Sequence, residues 1–353
     1  MSPEQASIRR ATMQAQRAIV ALDAAGAREL ARAYREAAAD ISRRIAAHAG
    51  ADDAVGLSQL RALLAQVEAR LADLAAARDA LLTEGLQKAA RYGAQVWEGG
   101  AAAVAESAAA HVIAEAAVRT VQAFVAADGL QLSDRIWRID RGARDAVVNA
   151  IERAVIEGHG AAQAAREFLA RGAAVPADLA AKMGAPAAGK LGREAAQALT
   201  GKGGAMDNAM RLFRTEINRA HGEAYMAGGE DKPYFGGWRF ELSPRHPGPD
   251  ICDLLSTQNV HGLGPGVYPS RAKCPWPAHP NTLSFVTMVF KDEITAADRA
   301  ARETPLEALA RLSAETRRGV LGKTKGELFD AGELAQGMIR ARVRDVKRRA
   351  GLA

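Results

Sequence analysis

Residues 234–290 read YFGGWRFELSPRHPGPDICDLLSTQNVHGLGPGVYPSRAKCPWPAHPNTLSFVTMVF, and nothing else in the chain has this character. Eight of the chain's 13 prolines and both of its cysteines fall here, which marks a small module apart from an otherwise alanine-rich sequence. At one edge Phe235–Leu242 (FGGWRFEL) sets Trp238, Phe240 and Leu242 on one face with the period of two of a strand. At the other, Phe285–Phe290 (FVTMVF) is a β-rich apolar run of similar length. Two such strands predict a short antiparallel ribbon, which is marginal alone. Between them stand His246, Cys252, Cys274 and His279, spaced H-x5-C-x21-C-x4-H. Two close pairs joined by a loop are the layout of a tetrahedral structural zinc site, and metal binding supplies folding energy that a tiny core lacks. The expectation is a structural zinc held by these four residues, clamping the open end of the ribbon. Asp250, Asp253 and His261 are substitutes within the set. Two other readings stay open. The cysteines can be small core residues and the histidines loop decoration, or Cys252 and Cys274 can form a disulfide. The disulfide is disfavoured because MSPEQASIRR lacks the apolar core of a signal peptide.

Arg214 onward reads RTEINRAHGEAY, then SPRHPGPDICDLL (Ser243–Leu255), then GLGPGVYPSRAKCPWPAHPNT (Gly262–Thr282). This resembles the C-terminal core of the Mu F-like minor head proteins, the head morphogenesis proteins of tailed bacteriophages. The likeness extends upstream through LQLSDRIWRIDRGAR (Leu130–Arg144) and downstream through GVLGKTKGELF (Gly319–Phe329), a little over half of the chain. The family pattern places two cysteines after the His-Pro, as HP-x-C-x-C; here Thr282 and Ser284 stand there instead. Cys252 and His279 match the pattern, while His246 and Cys274 are needed as replacements. The resemblance implies a minor capsid morphogenesis protein of a tailed phage or prophage, acting in procapsid assembly near the portal. Its implied partners are portal and major capsid or scaffold proteins, with double-stranded DNA a further contact. Its implied place is the virion head, reached through the host cytoplasm.

A chain of 353 residues accommodates two or three domains. Charged residues make up 25% and hydrophobic ones 48%, ordinary values for a globular protein, while sparse aromatics and abundant alanine favour helix. The net charge of +6 permits an acidic partner without requiring one. No apolar run is long enough to span a membrane. The predicted class is therefore mainly α: long N-terminal helices, a helical middle region, a small zinc-stabilised α+β module, and a helical basic C-terminus. The expected segments are 1–126, 127–205, 206–290 and 291–353.

Ser2-Pro3-Glu4 opens a long helix with Ile8, Ala11, Ala15, Ile19 and Leu22 at three- and four-residue steps. After the polar break GADDAV (Gly50–Val55), Leu60, Leu63, Leu64, Val67, Leu71, Leu74 and Leu81 form a near-heptad stripe, a packed face or a homo-oligomeric seam. Gly99-Gly100 and Asp128-Gly129 punctuate the chain beyond that stripe. Ile136, Trp137 and Ile139 are expected in the core, with a turn at Gly158-His159-Gly160. Residues 176–204, poor in bulky apolar groups, predict a linker or exposed loop. Arg214 and Glu216 are candidates for a structural ion pair. Gly319–Lys325 predicts a loop. Arg340, Arg342, Arg344, Lys347, Arg348 and Arg349 crowd ten residues with a single Asp, more than a helix dipole needs, and form a candidate contact for nucleic acid or an acidic partner.

Enzyme motifs are wanting: there is no G-x-S-x-G elbow and no HExxH. The GKGG at Gly201–Gly204 lacks a phosphate-loop frame. A closed site of two thiolates and two imidazoles leaves no position for chemistry, so the expectation is a non-enzyme. The enzyme alternative is a metal-dependent nuclease using His246, His279 and Asn281 around an open metal.

Overall fold

Ser2 and Gln5 begin the first helix reciprocally: the Gln5 N–H donates to Ser2 Oγ (3.2 Å) and the Ser2 N–H to Gln5 Oε1 (2.7 Å). From that cap the computed structural model runs one helix, α1 (Pro3–Ala47), and describes residues 2–49, 55, 57–98, 107–125, 129–170 and 188–352. Side chains at 57–58, in much of 153–169 and at 188 are not described. Helices α2 (Leu57–Ala94), α3 (Ala108–Ala123), α4 (Leu132–Ala170), α5 (Ala188–Thr200) and α6 (Ala205–Gly229) succeed it. Then come β1 (Phe235–Glu241), α7 (Ile251–Thr257), β2 (Val267–Tyr268) and β3 (Phe285–Phe290). Four helices finish the chain: α8 (Ala296–Ala300), α9 (Pro305–Arg311), α10 (Ala314–Asp330) and α11 (Val343–Arg349). The molecule is mainly helical with one small antiparallel sheet. Among the described residues, no helix is long and apolar enough to cross a membrane. Among them, too, the only pairing outside that sheet is a single bridge between Ala49 and Val55. The glycine breaks at 99–100 and most of the 50–55 break lie outside the described residues.

The chain divides into two units: Val20–Leu86 with Val121–Arg214, and Met1–Ile19 with Gln87–Thr120 and Thr215–Ala353. Apart from the Ala49–Val55 bridge, the described elements of the first are all helices. Leu30, Tyr34, Ala37, Ile41 and Ile45 of α1 are buried in it, as are Leu63, Val67, Leu71, Leu74 and Leu82 of α2. The α2 stripe holds to Leu74, but the next seam position is Arg78, whose side chain is only 3% exposed. Its guanidinium donates to Asp140 of α4, with one bond at 3.0 Å, and to Asp79 at 2.6 Å. A buried cation demands such partners, and one Asp from another helix meets the demand. Gly26 has the opposite role, since a Cβ there would come within 2.1 Å of the Phe213 ring.

Three expectations for this unit fail. Trp137 is 56% exposed, because the buried period of α4 runs Leu132, Ala143, Val147, Ile151, Val155 and leaves Trp137 on the far face. The helix continues through residues 158–160 without the expected turn, so α4 is one element and not two. The expected linker is in part α5, whose Leu191, Ala195 and Leu199 are buried at four-residue steps against α4. Three small or medium apolar residues at that spacing are enough to dock a helix despite the poor bulk composition. Residues 176–187 of that stretch lie outside the described part.

In the second unit the sheet has the order β2-β1-β3, antiparallel throughout. Trp238 pairs with Met288 on one side and Tyr268 on the other, and Phe240 pairs with Val286. The ribbon expected from two strands gains β2 as a third. Trp238 and Phe240 are fully buried and Leu242 partly, so the period-two face is the core face. Tyr225 of α6 is its hub. Its ring stacks on Trp97 at 5.0 Å, and its hydroxyl accepts from the Met288 N–H (3.1 Å) and meets Thr12 Oγ1 (3.2 Å). A separate cluster gathers Leu254 with Leu309, Leu321, Leu328, Ile339 and Val346. The loop expected at Gly319–Lys325 is helix broken by a kink at Gly322 (φ 66°), a left-handed backbone that glycine tolerates.

Candidate metal centre

Asp250 sets the local geometry. Its Oδ1 accepts from the Cys252 N–H (2.6 Å) as the N-cap of α7, and its own N–H donates to Asp253 Oδ2 (2.8 Å). That reciprocal cap fixes Asp250, Cys252 and Asp253 on one turn, and buried Leu254 and Leu255 anchor it from below. His246 arrives from the chain reversal after β1, held by its N–H donating to Ser243 O (2.9 Å). The second arm is the loop leading into β3. Asn281 takes a left-handed conformation (φ 65°), and its N–H donates to Thr215 Oγ1 of α6 (2.8 Å). Asn218 Nδ2 donates to Thr282 O (3.1 Å), so α6 holds the turn that presents His279.

The Cys252 sulfur lies 3.2 Å from His279 Nε2 and 3.8 Å from Thr282 Oγ1. Asp250 Oδ2 is 3.0 Å from the same His279 nitrogen. On its outer side His246 Nε2 sits 3.0 Å from Asp253 Oδ2 and 3.7 Å from Asp250 Oδ1. Asp250, Cys252 and His279 thus form one group of converging donor atoms, and His246, Asp250 and Asp253 another. His279 Nδ1 is 2.9 Å from Pro280 O, and a carbonyl can only accept, so the ring proton belongs on Nδ1. Nε2 is then the ring nitrogen left for a metal, and it faces the Cys252 sulfur and Asp250 Oδ2.

Burial pushes the Cys252 thiol up to about 11, helped by the Asp250 charge and opposed by the Ser284 and Thr282 hydroxyls. Ser284 Oγ is fully buried without a conventional hydrogen-bond partner of its own. Cys274 is pushed up to about 12 by burial. Both are free thiols, so the disulfide is excluded, and as protonated thiols they are poor nucleophiles at neutral pH.

Of the four expected ligands, Cys252 and His279 come together. His246 is beside them but faces Asp253 and Asp250, and Cys274 belongs to neither group. Cys274 lies beside Trp276 in the core cluster that also holds Cys252, without joining a group of converging donors. Asp250, expected only as a substitute, fills the third position. One sulfur, one imidazole nitrogen and one carboxylate oxygen fit zinc, whereas calcium or magnesium would ask for oxygen alone. The sequence did not disclose the roles of Thr215 and Asn218, although both lie in the RTEINRAHGEAY run.

Arg214 Nε donates to Asp23 Oδ2 (2.9 Å), and Glu216 lies 3.4 Å from Arg219 Nε. Arg340, Arg342, Arg344, Lys347, Arg348 and Arg349 are all exposed, with Arg348 held to Asp345 at 3.3 Å. No protein-family model matches the chain, and neither the curated proteins nor the solved structures give a match.

Proposed function

We propose that this protein is a minor head morphogenesis protein of a tailed phage or prophage, acting near the portal during procapsid assembly, with a zinc ion tying α7 to the loop before β3. The observation that carries the reading is a convergence. Cys252, His279, Thr282 and Ser284, the positions at which the Mu F-like pattern has its cysteines and histidine, gather around one sulfur. Residues 252 and 279–284 are far apart in sequence, and nothing in their spacing obliges them to meet. With hydroxyls at two of those positions, Asp250 supplies the missing anionic donor. Zinc here would be a strut joining α7 to the loop before β3, which α6 holds through Thr215 and Asn218. The exposed basic end offers a surface to DNA or an acidic partner.

A second reading has an observation of its own. Three protein donors leave a coordination position free, which a metal-dependent nuclease requires. Assembled heads purified from infected or induced cells provide the test. Under the assembly reading the protein copurifies with them and carries zinc, and its loss leaves heads missing or unable to retain DNA. Metal-dependent DNA cleavage, abolished by His279→Ala in a protein that still supports head assembly, would give the role to the nuclease instead.

A further inference from the structure

The two carboxylate oxygens of Asp250 face different histidines: Oδ2 lies 3.0 Å from His279 Nε2, Oδ1 3.7 Å from His246 Nε2. Two donor groups therefore share one carboxylate. The inner one is Asp250, Cys252 and His279, and the outer one His246, Asp250 and Asp253. Among the described residues no Lys or Arg lies within ion-pair distance of Asp250 or Asp253, and the only partners of that kind are the two histidines. Elsewhere this chain does otherwise, pairing Asp140, Asp40 and Glu303 with arginines. Two carboxylates, two imidazoles and a buried sulfur in one pocket leave a surplus of lone pairs that a cation would satisfy.

From this geometry we infer a two-ion centre in which Asp250 bridges an inner metal on Cys252 and His279 and an outer divalent metal on His246 and Asp253. The inner position, with sulfur and nitrogen, is selective for zinc. The outer, with one nitrogen and two carboxylates, is harder and accepts zinc, cobalt or manganese. Cys252 is fully buried, while His279 and Asp250 are each 34% exposed and His246 and Asp253 15% and 19%, so solvent reaches both positions. The outer ion rests on the inner reading only through Asp250. Its consequence is regulatory, because an exchangeable outer ion would tune how firmly α7 is held to the rest of the module.

The full-length protein, stripped with a mild chelator and dialysed, is titrated with zinc and separately with cobalt(II). Two ions per chain are expected, bound in two steps. Cobalt in the inner position gives the near-ultraviolet sulfur-to-metal charge-transfer band, and the second equivalent adds visible absorption without enlarging that band. Asp253→Asn keeps the oxygen that caps Asp250, so the fold is preserved, and it should reduce the stoichiometry from two to one with the sulfur band intact. His246→Gln should do the same, and Cys252→Ser should abolish the band while leaving the outer ion. One ion per native chain, lost in Cys252→Ser and retained in Asp253→Asn, removes the outer site and leaves the inner one standing. No bound ion removes both.

Discussion

At the scale of single residues, the two cysteines should behave oppositely. If the proposed ion is bound, Cys252→Ser removes a donor and should release it, whereas Cys274→Ser should retain it and cost about 1–3 kcal/mol through a hydroxyl placed in the core. Metal content together with denaturant midpoints of the two variants checks this. A loss of metal in Cys274→Ser would restore the ligand set read from spacing. Only the family pattern singled out Cys252 and His279, whereas spacing put all four residues on one footing. It misplaced Cys274, since a count of residues does not say which way a loop side chain faces; Trp276, lying against Gly222 of α6, draws this loop into the core. Asp250 was hidden by its second role, because an Asp before a helix reads first as a cap. His221 supplies a pH prediction. It is buried, its Nε2 has no hydrogen-bond partner, and burial lowers it to about 4. The unfolded chain, at the ordinary value near 6.5, takes up a proton that the folded one refuses. Stability is therefore complete above about pH 6.5 and falls as pH drops toward 4, by about 3 kcal/mol. His221→Phe should flatten that slope in urea melts at pH 7 and pH 4.5 run in chelator.

At the scale of elements, helix periods were the most readable feature and their exceptions the most informative. Ile8, Ala15 and Ile19 are buried as their spacing requires, but Arg78 entered the α2 seam unannounced, since its partner Asp140 lies on another helix. Arg78→Leu should be tolerated better than Asp140→Ala, because the first removes a buried charge and the second strands one; thermal melts would show the order. The strand β2 was illegible at two residues, being defined by its pairing with Trp238 and Arg239 and not by its own composition. α6 carries a sharper test. A Cβ at Gly222 would come within 2.0 Å of the Trp276 ring, so Gly222→Ala should destabilise by about 1–3 kcal/mol and loosen the loop that presents His279. Metal affinity measured alongside stability would show both effects or neither.

At the scale of the whole molecule, the basic end offers an electrostatic test. Val346 is buried among these cations, so truncation would damage the core, and substitution is the cleaner experiment. Changing Arg344, Lys347, Arg348 and Arg349 to Gln should leave the fold intact and lower the salt slope of duplex DNA binding by up to roughly 4. An unchanged slope would reassign the patch to a protein partner. The second unit also has an unusual itinerary. Gln5 Nε2 donates to Asp292 Oδ1 across 287 residues of sequence, Arg9 pairs with Glu293, and Thr12 meets the Tyr225 hydroxyl. The first turns of α1 thus dock beside a strand that is translated roughly 280 residues later. At about 5–20 residues per second that wait is roughly 15–60 s. Throughout it, Ile8 and Ala15 lack the strand residues with which they share a core, which makes the nascent α1 a natural client for a holding chaperone.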